Sequence, residues 1–418
     1  MYLPTYIPTY SYLLTSRRHS PNHVSSHSYK LLQTPIGTAH VRQPRRRAAL
    51  FPYNKQLRPG GGRRTMDVDP RSYILSEEES RSIFERDILP PELSGLSLSE
   101  GHASKNGHGA VRTPLAVLLI GQTGAGKTRT APAIKNALIR LRGDERLAHF
   151  VADTYKTFHP AYRGILATRP AMASPATSPD ARRWLAMAAS FAASQRADVL
   201  IESAARHPGD FADLARLFRE EGYRVEVAIL AVPAALSRLG ILTRFYEKLP
   251  EAGPQGGLPL RLTPRKVHDE SYAGLLEAAT FVDSSDVVDQ VVVVRRDNLV
   301  SYANERVRSV GDGYSWRRKP STADAVRIER ERPLTAGEKK GAEISLQRLR
   351  KMNVPGLECQ LVEIETMLEP LLGVADKPTY LQLKPLYLPN SMHDDRFDIE
   401  AGLTLGTIPS GYTTTPPP

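Results

Sequence analysis

Eight consecutive residues, Gly121-Gln122-Thr123-Gly124-Ala125-Gly126-Lys127-Thr128, fit the pattern G-x-x-x-x-G-K-[ST] and carry the most specific chemistry in the chain. Glycines without a Cβ let a loop turn so that successive backbone N–H groups point at phosphate oxygens, and a helix start behind the loop adds partial positive charge. Lys127 then reaches the β- and γ-phosphates, and the Thr128 hydroxyl takes one coordination position on Mg²⁺. The pattern predicts a site for ATP with Mg²⁺. A phosphate loop names the nucleotide and not the reaction, so other polar positions must decide what is done with it. Asp153 and Glu202 each directly follow an apolar run with strand character. In open parallel sheets ligands lie outside the carboxyl ends of the strands, which brings both acids toward the loop. A carboxylate there accepts the proton of a substrate hydroxyl or holds a magnesium-bound water. By position alone a helix cap for Asp153 and a capping or paired surface acid for Glu202 carry equal weight.

The elements that must position these residues are short apolar strands alternating with longer helical patterns between Thr113 and Asn304, the pattern of an α/β fold with a parallel sheet. Leu115–Ile120 reads as a buried strand, followed by the Gly-rich turn and a helix with Ala131, Ile134, Leu138 and Leu141 on one side. A second strand ends at Ala152. Ser178-Pro179 predicts a helix start, serine as cap and proline at the first helical position, with Ala181, Trp184, Ala188 and Phe191 on one face. A third strand, Asp198–Ile201, leads into a helix with Phe211, Leu214 and Phe218, and a fourth runs Arg224–Val232. Val291–Val294 and Leu299–Tyr302 flank Arg295–Asn298 as a hairpin at the sheet edge. Beyond it, the capping box Thr335-Ala336-Gly337-Glu338 opens a helix with Ala342, Leu346 and Leu349.

The predicted fold class is therefore α/β, a P-loop NTPase with a kinase-like parallel sheet flanked by helices, an appended C-terminal helical element and disordered ends. Five stretches follow: residues 1–65, a basic leader; 66–112, a linker with a short helix at Ser76–Ile88; 113–304, the catalytic domain; 305–376, the appended helical region; and 377–418, a Pro/Thr-rich tail.

The net charge of +11 suggests nucleic acid until it is divided along the chain. Residues 1–65 hold 11 Lys/Arg and no acid, which leaves the remainder balanced, with 45 basic against 45 acidic side chains. A nucleic-acid-binding domain carries its excess on a folded face, so nucleic acid is not an expected partner. The leader is Arg-rich and acid-free as organelle-targeting peptides are, although Met1–Leu14 has two prolines and no amphipathic pattern; the other reading is a disordered leader before a start at Met66. The single cysteine, Cys359, makes no intramolecular disulfide, and no apolar run reaches the roughly 18 residues of a membrane span. The expected compartment is the cytoplasm, or the mitochondrion if the leader is a targeting peptide.

A set of ordered motifs goes beyond the phosphate loop. Gly121–Thr128, Asp153-Thr154-Tyr155-Lys156-x-x-His159-Pro160, Ile201-Glu202, Gly222-Tyr223, Ala231-Val232-Pro233, Arg244 and Thr263-Pro264-Arg265-x-x-His268-Asp269 together resemble the zeta toxin family of P-loop kinases over residues 113–304. The run Arg332–Thr335 resembles a tail of longer bacterial members. The resemblance implies ATP-dependent phosphorylation of the sugar 3′-hydroxyl of UDP-N-acetylglucosamine, with an antitoxin as partner. It implies Asp153 as general base, Arg244 and Arg261 acting on the transferring phosphate and the substrate diphosphate, and Glu202 and Arg206 on the substrate. An arginine on a transferring phosphate is worth about 10³ to 10⁵ in rate. The chain departs from the family at Ser203 and Ala204, where glycine and threonine are usual, at Ala186 or Met187 in place of a substrate-binding glutamate, and in the insertion Gly253–Leu258. Another hydroxyl acceptor, or a module that binds ATP without turnover, remain the alternatives.

Overall fold

A computed structural model describes residues 68–96, 113–142, 147–248, 262–309, 313–373, 384–386 and 402–406. All lie in the unit Met66–Pro418. The elements, in order, are α1 (Glu77–Ile83), α2 (Leu89–Leu93), β1 (Leu115–Gly121), α3 (Lys127–Arg142), β2 (Leu147–Val151), α4 (Tyr162–Thr168), α5 (Pro170–Ser194), β3 (Asp198–Ser203), α6 (Pro208–Glu220) and β4 (Arg224–Leu230). There follow α7 (Ala234–Lys248), α8 (Arg265–Ser284), β5 (Gln290–Val294), β6 (Leu299–Arg308), β7 (Tyr314–Trp316), α9 (Thr322–Glu331), α10 (Ala336–Lys351), α11 (Leu357–Leu368) and the two-residue strand β8 (Lys384–Pro385).

The sheet runs β2-β3-β1-β4-β5-β6-β7, with β8 beside β6. The first five strands are mutually parallel, and β6 is antiparallel to β5, β7 and β8. A parallel sheet must be covered on both faces, which is why β1 and β5 are buried at every position and read as unbroken apolar runs. Trp184, Ala188, Phe211, Phe218, Leu275 and Val326 cover one face, from α5, α6, α8 and α9. Ile134, Leu138, Leu239, Leu346 and Leu361 cover the other, from α3, α7, α10 and α11. Each such side chain contributes about 1.5 to 3 kcal/mol by leaving water. Among the described residues, no helix is long and apolar enough to cross a membrane.

Several elements differ from the sequence expectation. Helix α5 begins at Pro170, with Pro175 and Pro179 inside it, rather than at Ser178-Pro179. Ala173 and Ala176 pack with Tyr162 and Ile165 of α4, and Thr177 Oγ1 donates to Ala173 O at 2.7 Å. That packing holds two extra turns ahead of a local start signal. Residues 70–96, within the stretch read as a linker, place Ile83, Phe84, Ile88, Leu93 and Leu96 in the first core cluster, and Trp184 Nε1 donates to Ser80 O at 2.8 Å. The capping boxes at Ser76 and Thr335 both form.

Two buried ion clusters close the amino ends of the strands, away from the phosphate loop. Arg142 pairs with Asp198 at 2.5 Å, and Asp198 Oδ1 accepts from Leu115 N at 2.9 Å. Glu226 on β4 is fully buried and accepts from Arg224 Nε at 2.7 Å, Thr404 Oγ1 at 2.5 Å, Leu405 N at 2.9 Å and Gly406 N at 3.0 Å. Residues 402–406, in the stretch read as a Pro/Thr-rich tail, thus complete the base of the sheet, with Leu403 and Leu405 in the second core cluster.

Candidate active site

Adjacent parallel strands lie about 4.8 Å apart, so their carboxyl ends deliver side chains to one place. β1 pairs with β3 through Ile120 and Ser203, and β3 with β2 through Val151 and Glu202. The phosphate loop after β1, Glu202 at the end of β3 and Asp153 just past β2 are therefore brought together by register alone. β4, on the other side of β1, leads through Val232-Pro233 into α7, which carries Arg244.

The loop is fixed by contacts to its outer side. Gly124 has φ +79°, and a Cβ there would lie 2.1 Å from Ser237 O, so only glycine fits against α7. Gln122 turns its side chain into the protein: it is buried, donating from Nε2 to Val232 O at 2.5 Å and accepting at Oε1 from Arg330 Nη2 at 3.3 Å. Of the predicted nucleotide-contacting residues, Gln122 can therefore offer a ligand only its main chain. Thr123 N donates to Ser271 Oγ at 3.2 Å, and Ala125 N to Gln122 O at 3.1 Å. Arg296, in the β5–β6 hairpin, donates to Gly124 O at 2.5 Å and to Leu236 O at 3.1 Å. Its guanidinium fits because position 240 is glycine, where a Cβ would meet Arg296 Nη2 at 2.2 Å.

Lys127 opens α3 and folds back, Nζ donating to Gly121 O at 2.6 Å. Burial pushes its pKa down to about 8; Asp153 and Glu202 act against that shift and Arg244 with it. The electrostatics thus couple three other sequence-predicted residues to this one ammonium group. Thr128 is exposed on the first turn of α3.

The remaining predicted side chains are each already engaged, with one exception. Asp153 is exposed at the start of a 3₁₀ turn, makes no side-chain cap hydrogen bond, and pairs with Lys156 Nζ at 2.5 Å. Glu202 is buried and accepts from His149 Nε2 at 2.9 Å. Arg206 donates from Nε to Glu270 on α8 at 2.6 Å. Arg244 is exposed, with no ion-pair partner among the described residues. Arg261 lies outside the described residues.

The two histidine motifs hold structure around this site. His268 Nδ1 faces Asp269 Oδ1 at 2.9 Å and Nε2 faces Ser237 Oγ at 2.8 Å. The carboxylate only accepts, so Nδ1 carries the proton; burial lowers the pKa of the ring, which leaves Nε2 free to accept from the serine hydroxyl. His159 accepts from Ala161 N at Nδ1 and donates from Nε2 to Tyr73 O at 3.0 Å, tying residues 70–73 to the turn before α4. Sequence reasoning passed over His149, Arg296, Ser271 and Arg330. The readable signals were a histidine inside the strand Leu147–Val151 and the pair Arg295-Arg296 directly after four valines.

Residues 101–307 match the family model described as zeta toxin. The toxin PezT of Streptococcus pneumoniae is 26% identical over 205 residues, 48% of this chain and 76% of that protein. A toxin zeta of Streptococcus pyogenes is 24% identical over 207 residues, 49% of this chain and 68% of that one. A solved structure from the PezAT chromosomal toxin–antitoxin system of Streptococcus pneumoniae is similar over 67% of this chain and 98% of that one, at 20% identity and a TM-score of 0.48.

Proposed function

We propose that the chain, which belongs to the zeta toxin family through residues 101–307, is an ATP-dependent phosphotransferase acting on a hydroxyl of UDP-N-acetylglucosamine or a related nucleotide sugar. The observation that carries this reading is the strand register that delivers the phosphate loop, Glu202 and Asp153 to one end of the sheet, where Asp153, Glu202 and Arg244 all act on Lys127. A phosphate loop that only stored nucleotide needs no exposed acid past a nearby strand end and no arginine acting on its lysine.

ATP binds with its phosphates on the main-chain N–H groups of the loop, and Lys127 leaves the Gly121 carbonyl for the β- and γ-phosphates. Negative phosphate raises the lysine pKa again, so the bound lysine is fully charged. Asp153, exposed just past β2, takes the proton of the acceptor hydroxyl as its oxygen attacks the γ-phosphorus and the bond from that phosphorus to the β–γ bridging oxygen breaks, so that ADP leaves. Lys156, paired with that carboxylate at 2.5 Å, keeps it aimed until the acceptor arrives. Arg244 balances the charge spread over the γ-phosphate oxygens in the transition state. The exposed Thr128 hydroxyl is a hard oxygen donor of the kind Mg²⁺ takes beside nucleotide phosphates, so the loop fits that ion. Bound there, Mg²⁺ neutralises phosphate charge. Glu202 and Arg206 lie on the acceptor side, where Ser203 and Ala204 stand in place of the family's glycine and threonine. That departure favours a second reading, a different hydroxyl acceptor with the same transfer chemistry. The relatives are named toxins, which supports a partner that restrains the activity.

The test is ATP consumption against a panel of nucleotide sugars, with mass detection of the product. A gain of one phosphate on UDP-N-acetylglucosamine supports the first reading, and a gain on another acceptor the second. ATP binding with no phosphorylated product in any mixture would overturn both.

A further inference from the structure

Glu202 is 6% exposed, and a carboxylate at that depth needs a hydrogen-bonding partner to remain charged. Among the described residues, the hydrogen bond to its carboxylate comes from His149, Nε2 to Oε1 at 2.9 Å. An ionised carboxylate accepts only, so Nε2 carries the proton. His149 stands on β2 two residues before Val151, the register partner of Glu202, and therefore on the same face of the sheet. Its neighbours on that face of β2 are Leu147 and Val151, both apolar. A polar ring in the middle of a five-residue strand contributes less to packing than valine or leucine would there, and its observed work is the bond to Glu202.

We propose that His149 is a positioning residue that sets acceptor specificity: by occupying Oε1 of Glu202, it leaves Oε2 as the one oxygen that receives a hydroxyl of a sugar-like acceptor. A carboxylate free to rotate presents two equivalent oxygens and accommodates several hydroxyl geometries. One oxygen held by a ring on the neighbouring strand presents a single direction. This inference rests on the reading that Glu202 touches the acceptor.

The experiment is steady-state kinetics on the full chain, with the acceptor that turns over fastest in the nucleotide-sugar panel and ATP varied separately. The variants are His149→Leu, His149→Asn, His149→Gln, Glu202→Gln and the double variant His149→Leu/Glu202→Gln. A displaced contact group costs up to about 100-fold, so His149→Leu is expected to raise the acceptor KM by about 10-fold, with the KM for ATP unchanged. His149→Gln, whose amide N–H reaches where Nε2 stood, restores most of the loss, and the shorter His149→Asn does not. In the Glu202→Gln background, His149→Leu has no further effect, because residues that act through one another are not additive. A normal acceptor KM in His149→Leu beside an impaired Glu202→Gln overturns the role of His149, as do additive effects in the double variant or equal responses to Asn and Gln. If His149→Leu fails to fold, the Asn and Gln pair decides alone. A normal acceptor KM in Glu202→Gln overturns the underlying reading instead, as does a panel in which no acceptor turns over.

Discussion

The phosphate loop is held in shape by contacts on its outer side with several other elements. Gln122 bonds Val232, Arg296 holds the Gly124 carbonyl, and Ser271 holds the Thr123 amide. At the neighbouring strand ends the polar side chains are held in pairs: Asp153 with Lys156, Glu202 with His149, Arg206 with Glu270. A backbone site is specified by where glycine is tolerated, and its partners are spread over α7, α8, α9 and the β5–β6 hairpin. A side-chain site is specified by pairs, and changing one pair alters what is recognised without altering the loop. The difference teaches that a substitution at Gly124 or Gly240 strains the whole loop, whereas one at His149 or Glu270 removes a single pair.

The harshest way to break the phosphate side is Lys127→Ala. Loss of a charged group at the reacting phosphates is expected to lower turnover by at least about 10³-fold. Thermal unfolding should barely move, since the lysine makes one hydrogen bond to Gly121 O in the free protein. Wild-type turnover in the purified variant would refute the phosphate-loop assignment.

Asp153→Asn attacks the acceptor side alone. The amide keeps size and hydrogen bonding but takes no proton, so turnover at saturating acceptor should fall by about 10² to 10⁴. ATP affinity, measured by titration, should survive. Loss of both together would indicate a structural or magnesium-binding role, and normal turnover would move the base to Glu202.

Gly240→Ala tests whether the loop depends on its outer supports. A Cβ 2.2 Å from Arg296 Nη2 displaces the guanidinium from Gly124 O, and the KM for ATP should rise by about 10-fold, with the acceptor KM unchanged. An unchanged ATP KM would mean that the loop holds its shape without Arg296.

A gentler probe reads the lysine directly. Burial lowers the Lys127 pKa to about 8, and bound phosphate raises it again. At pH 9 ATP binding should therefore take up close to one proton, and at pH 6.5 none from this group, by calorimetry in buffers of different ionisation enthalpy. The unfolded chain holds that proton up to the ordinary lysine value. The penalty of the buried charge is thus full below about pH 8, and fades as pH rises from there toward that value. Lys127→Ala should abolish the uptake.

The smallest effect is expected from deleting residues 1–65. Catalytic constants should stay as they are, while the net charge falls from +11 to zero and any binding to DNA or anionic vesicles disappears. A large loss of turnover would show that the leader serves the reaction.

The sheet and the loop were legible because their signals are local: an unbroken apolar run at Leu115–Ile120, then Gly121–Thr128 and a helical stripe from Ala131 to Leu141. The start of helix α5 was misjudged because Ser178-Pro179 is a strong local start signal, and packing of Ala173 and Ala176 on α4 extends the helix back to Pro170 past it. Asp153 and Glu202 were readable from their positions after strands. Their partners were not, since Lys156 looks like any surface lysine, and His149 meets Glu202 only through a register that spans 53 residues. Arg296 had a cue in its place after four valines, but its target was not readable, since it acts on Gly124 across 172 residues.

The buried carboxylate of Glu226 has a consequence in time. Its donors Thr404, Leu405 and Gly406 follow it by 178 to 180 residues, so the ribosome finishes β4 long before it supplies them. At about 5 to 20 residues per second, the gap is on the order of ten to forty seconds. During that interval the nascent sheet holds a carboxylate matched by Arg224 alone, and the base of the strands stays open to water. Closure of the core is thus a late event of biosynthesis, and a chain stalled before residue 404 carries an unfinished sheet that quality-control proteases can recognise.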